Sequence, residues 1–150
     1  MPYIMTLVSL FAVDSAIKYW IERMGAVSGF QERMLCRDIV LKRYHNRGAM
    51  MNIGEQKQHL VAMLSLIFSA FMTGIFAATL CMTGKRMLKT GLALILGGAY
   101  SNTYDRLRRK YVVDYVTFPR FGAIVFNLSD FGIIIGAMLL TISELSGGQD

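Results

Sequence analysis

Leu60–Met82 reads LVAMLSLIFSAFMTGIFAATLCM, 23 residues without Asp, Glu, Lys or Arg. A helix of roughly 20 apolar residues crosses the hydrocarbon core of a bilayer, so this stretch predicts a transmembrane helix. Three less uniform segments flank it. Residues 2–21 carry Asp14 and Lys18, residues 121–142 carry Asp130, and residues 88–104 are the shortest, with Lys89 placed to snorkel at one end. Four spans predict an all-α membrane protein, a single integral domain over residues 1–150 with both termini on one side. Composition agrees. The AVILMFWYC set makes up 54% and charged residues 17%, and mean hydropathy is +0.43. Soluble domains average about 45–50% apolar and about 25% charged, so a disordered tail, a coiled coil and an ordinary soluble enzyme are excluded.

The net charge of +6 suits an anionic bilayer surface better than nucleic acid in so apolar a chain. The first segment lacks a basic start and is interrupted at 14 and 18, so it reads as a retained helix rather than a cleaved signal peptide. The first loop, residues 22–58, holds seven Lys/Arg and a possible strand, Asp38–Tyr44, beside an amphipathic stretch around Phe30–Leu35. The second loop is short, with Lys85 and Arg86. The third, Asp105–Arg120, holds five Lys/Arg. Counting basic residues alone puts loops one and three in the cytoplasm. Pro119 marks a turn before the last helix. Cys36 and Cys81 are too few for a disulfide framework and read as free thiols. Gly97 and Gly98 read as close helix packing, and the 11 Met as apolar filler. His45 and His59 lack the spacing of a zinc site, and His45 is expected at the surface. No serine sits in a nucleophile elbow.

Charge inside a bilayer is costly, so an intramembrane ionisable group is a functional candidate. Gly97–Gly136 gathers Asn102, Asp105, Arg106, Asp114, Asn127 and Asp130 where the third span ends and the fourth begins. Asn102, Asp105 and Arg106 are spaced so that Asn102 reaches either of the others on one helical face. Asp114 stands among Val112, Val113, Tyr115 and Val116; Asp130 stands among Phe126, Leu128, Phe131 and Gly132. Each Asp suits a helix cap or an ion pair. The functional alternative is a carboxylate pair. Two unit charges at 4 Å repel by about 4 kcal/mol at an effective dielectric near 20, so such a pair shares one proton and one member activates water while the other donates. Asp14 and Lys18, at i and i+4, suit a structural ion pair.

Taken together these residues resemble the lipoprotein signal peptidase (signal peptidase II) family, membrane aspartic proteases. Asn102, Asp105 and Arg106 match its Asn-x-x-Asp-Arg. Val112-Val113-Asp114-Tyr115 matches Val-Val-Asp-Phe, and Phe126-Asn127-Leu128-Ser129-Asp130 matches Phe-Asn-x-Ala-Asp. Asp14 and Lys18 match Asp-x-x-x-Lys, and Asn46, Gly48 and Ala49 match Asn-x-Gly-Ala. The resemblance implies an endopeptidase that removes signal peptides from diacylglyceryl-modified prolipoproteins, cutting before the lipidated Cys. Asp114 and Asp130 would be catalytic. Asn46, Gly48, Asn102, Asp105, Arg106 and Asn127 would bind substrate or organise the site. No metal, cofactor or nucleic acid is implied. The partners would be the prolipoprotein and membrane lipids, and the protein is expected to be a monomer.

The resemblance also implies a multi-pass protein of the bacterial cytoplasmic membrane. Its termini would be cytoplasmic, its site near the outer leaflet, and a small extracytoplasmic β or loop element would come from the first loop. That orientation opposes the count of basic residues and is preferred to it. Departures from the family pattern are Ser101 for Gly, Arg109-Lys110 for an aromatic-Gly pair, Ser129 for Ala, and Met50–Asn52 for Ala-Phe-Gly. The competing readings are a small ion or proton carrier and a non-catalytic lipoprotein-binding protein.

Overall fold

The computed structural model describes residues 1–29, 32–49, 53–118, 120 and 124–146. Four α-helices, a turn of 3-10 helix (Glu55–Lys57) and a small sheet make up this part of the chain. They run α1 (Pro2–Ser28), β1 (Glu32–Cys36), β2 (Ile39–Asn46), α2 (Gln58–Leu80), α3 (Arg86–Arg109), β3 (Val112–Thr117), β4 (Val125–Phe126) and α4 (Leu128–Leu145). The expected Pro119 turn, the Met50–Asn52 departure and the start of the predicted last span, residues 121–123, lie outside the described residues, as does the Cys36 side chain. Cys81 is an exposed free thiol.

Among the described residues, three helices are long and apolar enough to cross a membrane, in segments Pro2–Ser28, Glu55–Leu80 and Leu128–Leu145. The fourth expected span, α3, is less apolar than these. This helix packs on α1, α2 and α4, and its buried face includes Lys89, Ser101, Asn102, Thr103 and Asp105. A helix that faces protein on several sides meets no demand from lipid for an apolar surface, so its composition falls below that of its neighbours. The pattern on α2 is the reverse. Leu64, Ile67, Phe68 and Phe71 are about half exposed or more, while Ala62, Ser69, Phe76 and Thr79 point inward. Small and hydroxyl residues between helices are the usual solution in lipid, where apolar surface gains nothing by leaving the solvent. Ser69 and Thr103 accordingly share a hydrogen bond of 3.2 Å between α2 and α3.

Close approach of α3 and α4 depends on glycine. A Cβ on Gly98 would lie 2.5 Å from the Ser129 carbonyl oxygen, and one on Gly136 would lie 2.6 Å from that of Gly91. Lys89 is buried, and its ammonium donates to the Met82 carbonyl at 2.5 Å, just past the end of α2.

The helix boundaries also differ from expectation. α3 continues past residue 104 to Arg109, because Arg106, Arg108 and Arg109 fall in its last turn, where cations complement the helix C-terminus. The strands form one antiparallel sheet in the order β1-β2-β3-β4. The β element was expected from the first loop alone, yet half its strands come from the segment between α3 and α4. Val112–Thr117 is rich in β-branched residues, which suit a pleated half-buried surface. The Phe30–Leu35 stretch is β1 where it is described. Where α1 meets the sheet, Ile21, Leu41, Val113 and Tyr115 pack as a buried cluster.

Lys110 joins α3 to β3 with φ of 70°. A side chain in this left-handed region costs about 1–2 kcal/mol, partly offset by the greater chain entropy glycine loses on folding. Lys110→Gly is therefore expected to stabilise the fold by about 0.5–1 kcal/mol, read as a higher thermal midpoint in detergent.

Candidate active site

Asp114 lies mid-strand on β3, opposite Tyr44 of β2. Asp130 lies in the first turn of α4. Asn127 connects them. It is the N-cap of α4 and completes a capping box: its Oδ1 accepts from the Asp130 N–H at 2.9 Å, and its own N–H donates to Asp130 Oδ2 at 3.0 Å. The same side chain turns its Nδ2 to Asp114 Oδ1 at 2.6 Å and to Asn102 Oδ1 at 3.2 Å. Asn102 in turn donates to Asp130 Oδ1 at 3.0 Å. From β2, Asn46 donates to Asp114 Oδ2 at 3.1 Å. Two carboxylates on different elements are thus cross-linked through Asn102 and Asn127.

Both face one cavity of about 550 Å³, lined also by Tyr44, Asn46, Asn102 and Arg106 and walled by apolar side chains such as Phe68 and Ile134. Burial, and after it the Asp130 carboxylate, push the Asp114 carboxyl up to about 7. Arg106 crosses from α3 to the turn after β2, donating to the Gly48 carbonyl at 3.2 Å, while Gly48 N–H donates to Asn46 Oδ1 at 3.1 Å. The buried Arg106 Nε has no hydrogen-bond partner among the described residues.

A second polar layer lies behind the first. Asp14 and Lys18 are fully buried and 2.8 Å apart. Lys18 also reaches Asp105 at 3.3 Å and donates to Asn102 Oδ1 at 2.7 Å. Asn102 does not use its side chain on Asp105 or Arg106, as the spacing along α3 allowed; it turns to Lys18, Asp130 and Asn127. Asp105 instead pairs with Arg109 at 2.9 Å and accepts from the Val113 N–H at 3.3 Å, which steadies β3 one residue before Asp114. Asp14 Oδ2 accepts from Ser101 at 2.6 Å and Ser129 at 2.5 Å; its Oδ1 accepts from the Tyr115 hydroxyl at 2.8 Å. Burial, with Asp14 next, raises the Tyr115 phenol above its usual range, so it serves as a donor.

Reading the sequence missed these three hydroxyls. Ser101 and Ser129 stood out only as departures, and Tyr115 as an aromatic. The available signal was that each adjoins a site residue. His45 is part exposed: Nε2 lies 2.6 Å from Glu22 Oε1 and the ring stacks on Tyr111 at 4.1 Å.

A family model described as signal peptidase (SPase) II matches residues 6–146. The chain belongs to that family. Its relatives include the lipoprotein signal peptidase of Mesorhizobium japonicum, 33% identical over 97% of this chain and 86% of the relative. That of Halothermothrix orenii is 32% identical over 95% and 93% respectively. A solved bacterial membrane enzyme superposes with a TM-score of 0.79 at 21% identity, over 99% of this chain and 90% of its own, which shows a shared fold. Membership and the apolar helices make this signal peptidase II family member a bacterial membrane protein.

Removing one partner of a buried ion pair strands the other and costs about 3–5 kcal/mol. Lys18→Ala leaves Asp14 and Asp105 without their shared cation. A fall in monodisperse, folded protein recovered from membranes, by severalfold, is the expected outcome, with a lowered thermal midpoint in what remains.

Proposed function

We propose that the chain is an aspartic endopeptidase that removes signal peptides from diacylglyceryl-modified prolipoproteins, with Asp114 and Asp130 as its catalytic residues. The observation that carries the reading is the pair of carboxylates facing one cavity and cross-linked by two buried amides. Family membership supplies the substrate class, since the matched relatives are lipoprotein signal peptidases.

In this reading a water molecule sits between the carboxyl groups. Asp130, whose two oxygens each take an N–H from Asn102 or Asn127, removes a proton from the water as it attacks the scissile carbonyl. Asp114 gives its proton to the carbonyl oxygen, so the tetrahedral gem-diol forms without free charge. Asp130 then passes the acquired proton to the leaving amine of the lipidated Cys, Asp114 recovers a proton from the diol, and the C–N bond breaks. Arg106 and Asn46 line the same cavity and hold peptide carbonyls. The diacylglyceryl chains lie in lipid against the apolar faces of α2 and α4, and their burial at about 0.8 kcal/mol per CH₂ positions the bond to be cut.

All four helices cross the bacterial cytoplasmic membrane in this account, α3 among them because it is enclosed by the other three. The termini are cytoplasmic, the sheet and the site lie at the outer leaflet, and the enzyme works as a monomer. A proton or ion carrier would need the pair on a path across the bilayer; both carboxylates lie instead at the end of the helices beside the sheet.

General acid–base groups contribute roughly 10²–10⁴ in rate. Asp114→Asn and Asp130→Asn are each expected to slow cleavage of a diacylated prolipoprotein peptide by at least about a hundredfold. Wild-type rates in both would overturn the assignment. The charged groups acting on Asp114 are Asp130, Lys18 and Arg106. A carboxyl raised to about 7 holds its proton below that pH and loses it above. Turnover is therefore expected to fall as pH rises through about 7, measured as the alkaline limb of kcat against pH.

A further inference from the structure

The end of α3 beside the sheet carries more positive charge than the site uses. Arg106, Arg108 and Arg109 lie in its last turn and Lys110 caps it. Arg106 turns to the cavity and to Gly48, and Arg109 pairs with Asp105. Arg108 and Lys110 are both exposed. Among the described residues Arg108 makes no hydrogen bond or ion pair. Lys110 donates once, to the Leu107 carbonyl at 3.0 Å, and an ammonium has two further protons to give. The carboxylates around this corner are already matched. Asp105 is buried between Lys18 and Arg109, and Glu22, which also meets Tyr111, pairs with His45.

One turn before these cations the helix presents an apolar strip. Tyr104 and Leu107 are each 44% exposed, and with Arg108 they stand at i, i+3 and i+4, on one face. Phe11 of α1 meets the Tyr104 ring edge-on at 6.2 Å. On a helix packed among membrane helices, an exposed phenol and leucine followed by an unpaired guanidinium mark the step from acyl chains to headgroups. Tyrosine concentrates at that level, and arginine extends its charge outward from it. The backbone adds an independent sign. Lys110 holds a φ of 70°, strained for residues other than glycine, and strain of this kind gathers at functional positions. The family pattern has glycine there, so this chain keeps a cation where the backbone disfavours it.

We propose that Arg108 and Lys110 form a site for the phosphodiester headgroup of an anionic phospholipid, in the leaflet beside the sheet, with Tyr104 and Leu107 against its acyl chains. The planar fork of the guanidinium takes the phosphate oxygens, and the ammonium adds a point charge. The site is this chain's own addition to the family pattern. It goes beyond the aspartic reading and stands or falls apart from it.

The test titrates the full-length protein in detergent with dioleoylphosphatidylglycerol or dioleoylphosphatidylcholine and counts bound lipid by native mass spectrometry. The wild type is expected to bind the anionic lipid more tightly, by about tenfold or more, and to lose that preference as salt rises. At constant ionic strength, inorganic phosphate is expected not to displace it, which separates a lipid from a free anion. A cation beside an anionic headgroup contributes roughly fivefold. Arg108→Gln combined with Lys110→Gly is therefore expected to weaken the tightest phosphatidylglycerol site by roughly tenfold to thirtyfold. Glycine relieves the backbone at 110, so the variant retains its thermal midpoint and misfolding does not account for the loss. Arg33→Gln combined with Arg37→Gln removes the same charge from exposed residues of β1 and the turn after it, and is expected to leave the site unchanged. Equal wild-type affinity for the two lipids overturns the proposal. So does an unchanged site in the 108/110 variant, an equal loss in the 33/37 variant, or displacement by inorganic phosphate.

Discussion

The side chain of Asn127, fully buried, holds the site in register. Its oxygen caps α4 through the Asp130 N–H, and its nitrogen reaches Asp114 and Asn102. A helix start carries unpaired N–H groups that must find acceptors, and a buried carboxylate needs donors for both oxygens. One amide answers both demands, and in doing so fixes a residue of the sheet against the first turn of a helix. Without that link Asp114 and Asp130 belong to separate elements, and no side chain bonds directly to both.

Behind this amide the chain resolves the cost of charge in an apolar body by concentrating it. Lys18 serves Asp14 and Asp105 together, and Arg109 takes the second oxygen of Asp105. The result is a front layer open to the cavity and a back layer closed around Asp14. The back layer has its charges paired and its hydroxyls directed; the front layer leaves Asp114 beside Asp130, with Arg106 nearby and its Nε unspent. A structural network tends toward full satisfaction, and an incomplete one at the edge of a cavity is where chemistry is expected. The division between the layers runs through adjacent residues, so a single backbone path supplies both.

The membrane helices α1, α2 and α4 were legible from hydropathy because they face lipid. α3 was legible as a helix but not as the enclosed centre of the bundle, since burial against protein relaxes the very composition by which spans are recognised. Asp114 and Asp130 stood out because a carboxylate among valines or isoleucines needs a reason. Asn127 at the head of a helix could be read as a cap. Hidden from a linear reading were the contacts that depend on three-dimensional proximity across more than 80 residues: Lys18 with Asn102, Ser101 with Asp14, Tyr115 with Asp14. The strand at Val112–Thr117 was missed for a related reason, because it lies in the stretch read as a basic loop, Asp105–Arg120, and its partner β2 is distant in sequence. The hydroxyls at 101, 115 and 129 carried no periodic pattern, and only their common target gives them meaning.

The central claim is that Asp114 and Asp130 act as one unit that retains a proton near neutrality. Infrared spectroscopy of protein carrying isotope-labelled aspartate carboxyl groups, in lipid nanodiscs, observes that proton without reference to substrate. The account predicts a protonated carboxyl band that titrates away near pH 7, is absent from Asp114→Asn, and shifts its midpoint to lower pH in Asp130→Asn. A wild-type protein with no such band, or a band indifferent to the Asp130 substitution, would contradict it.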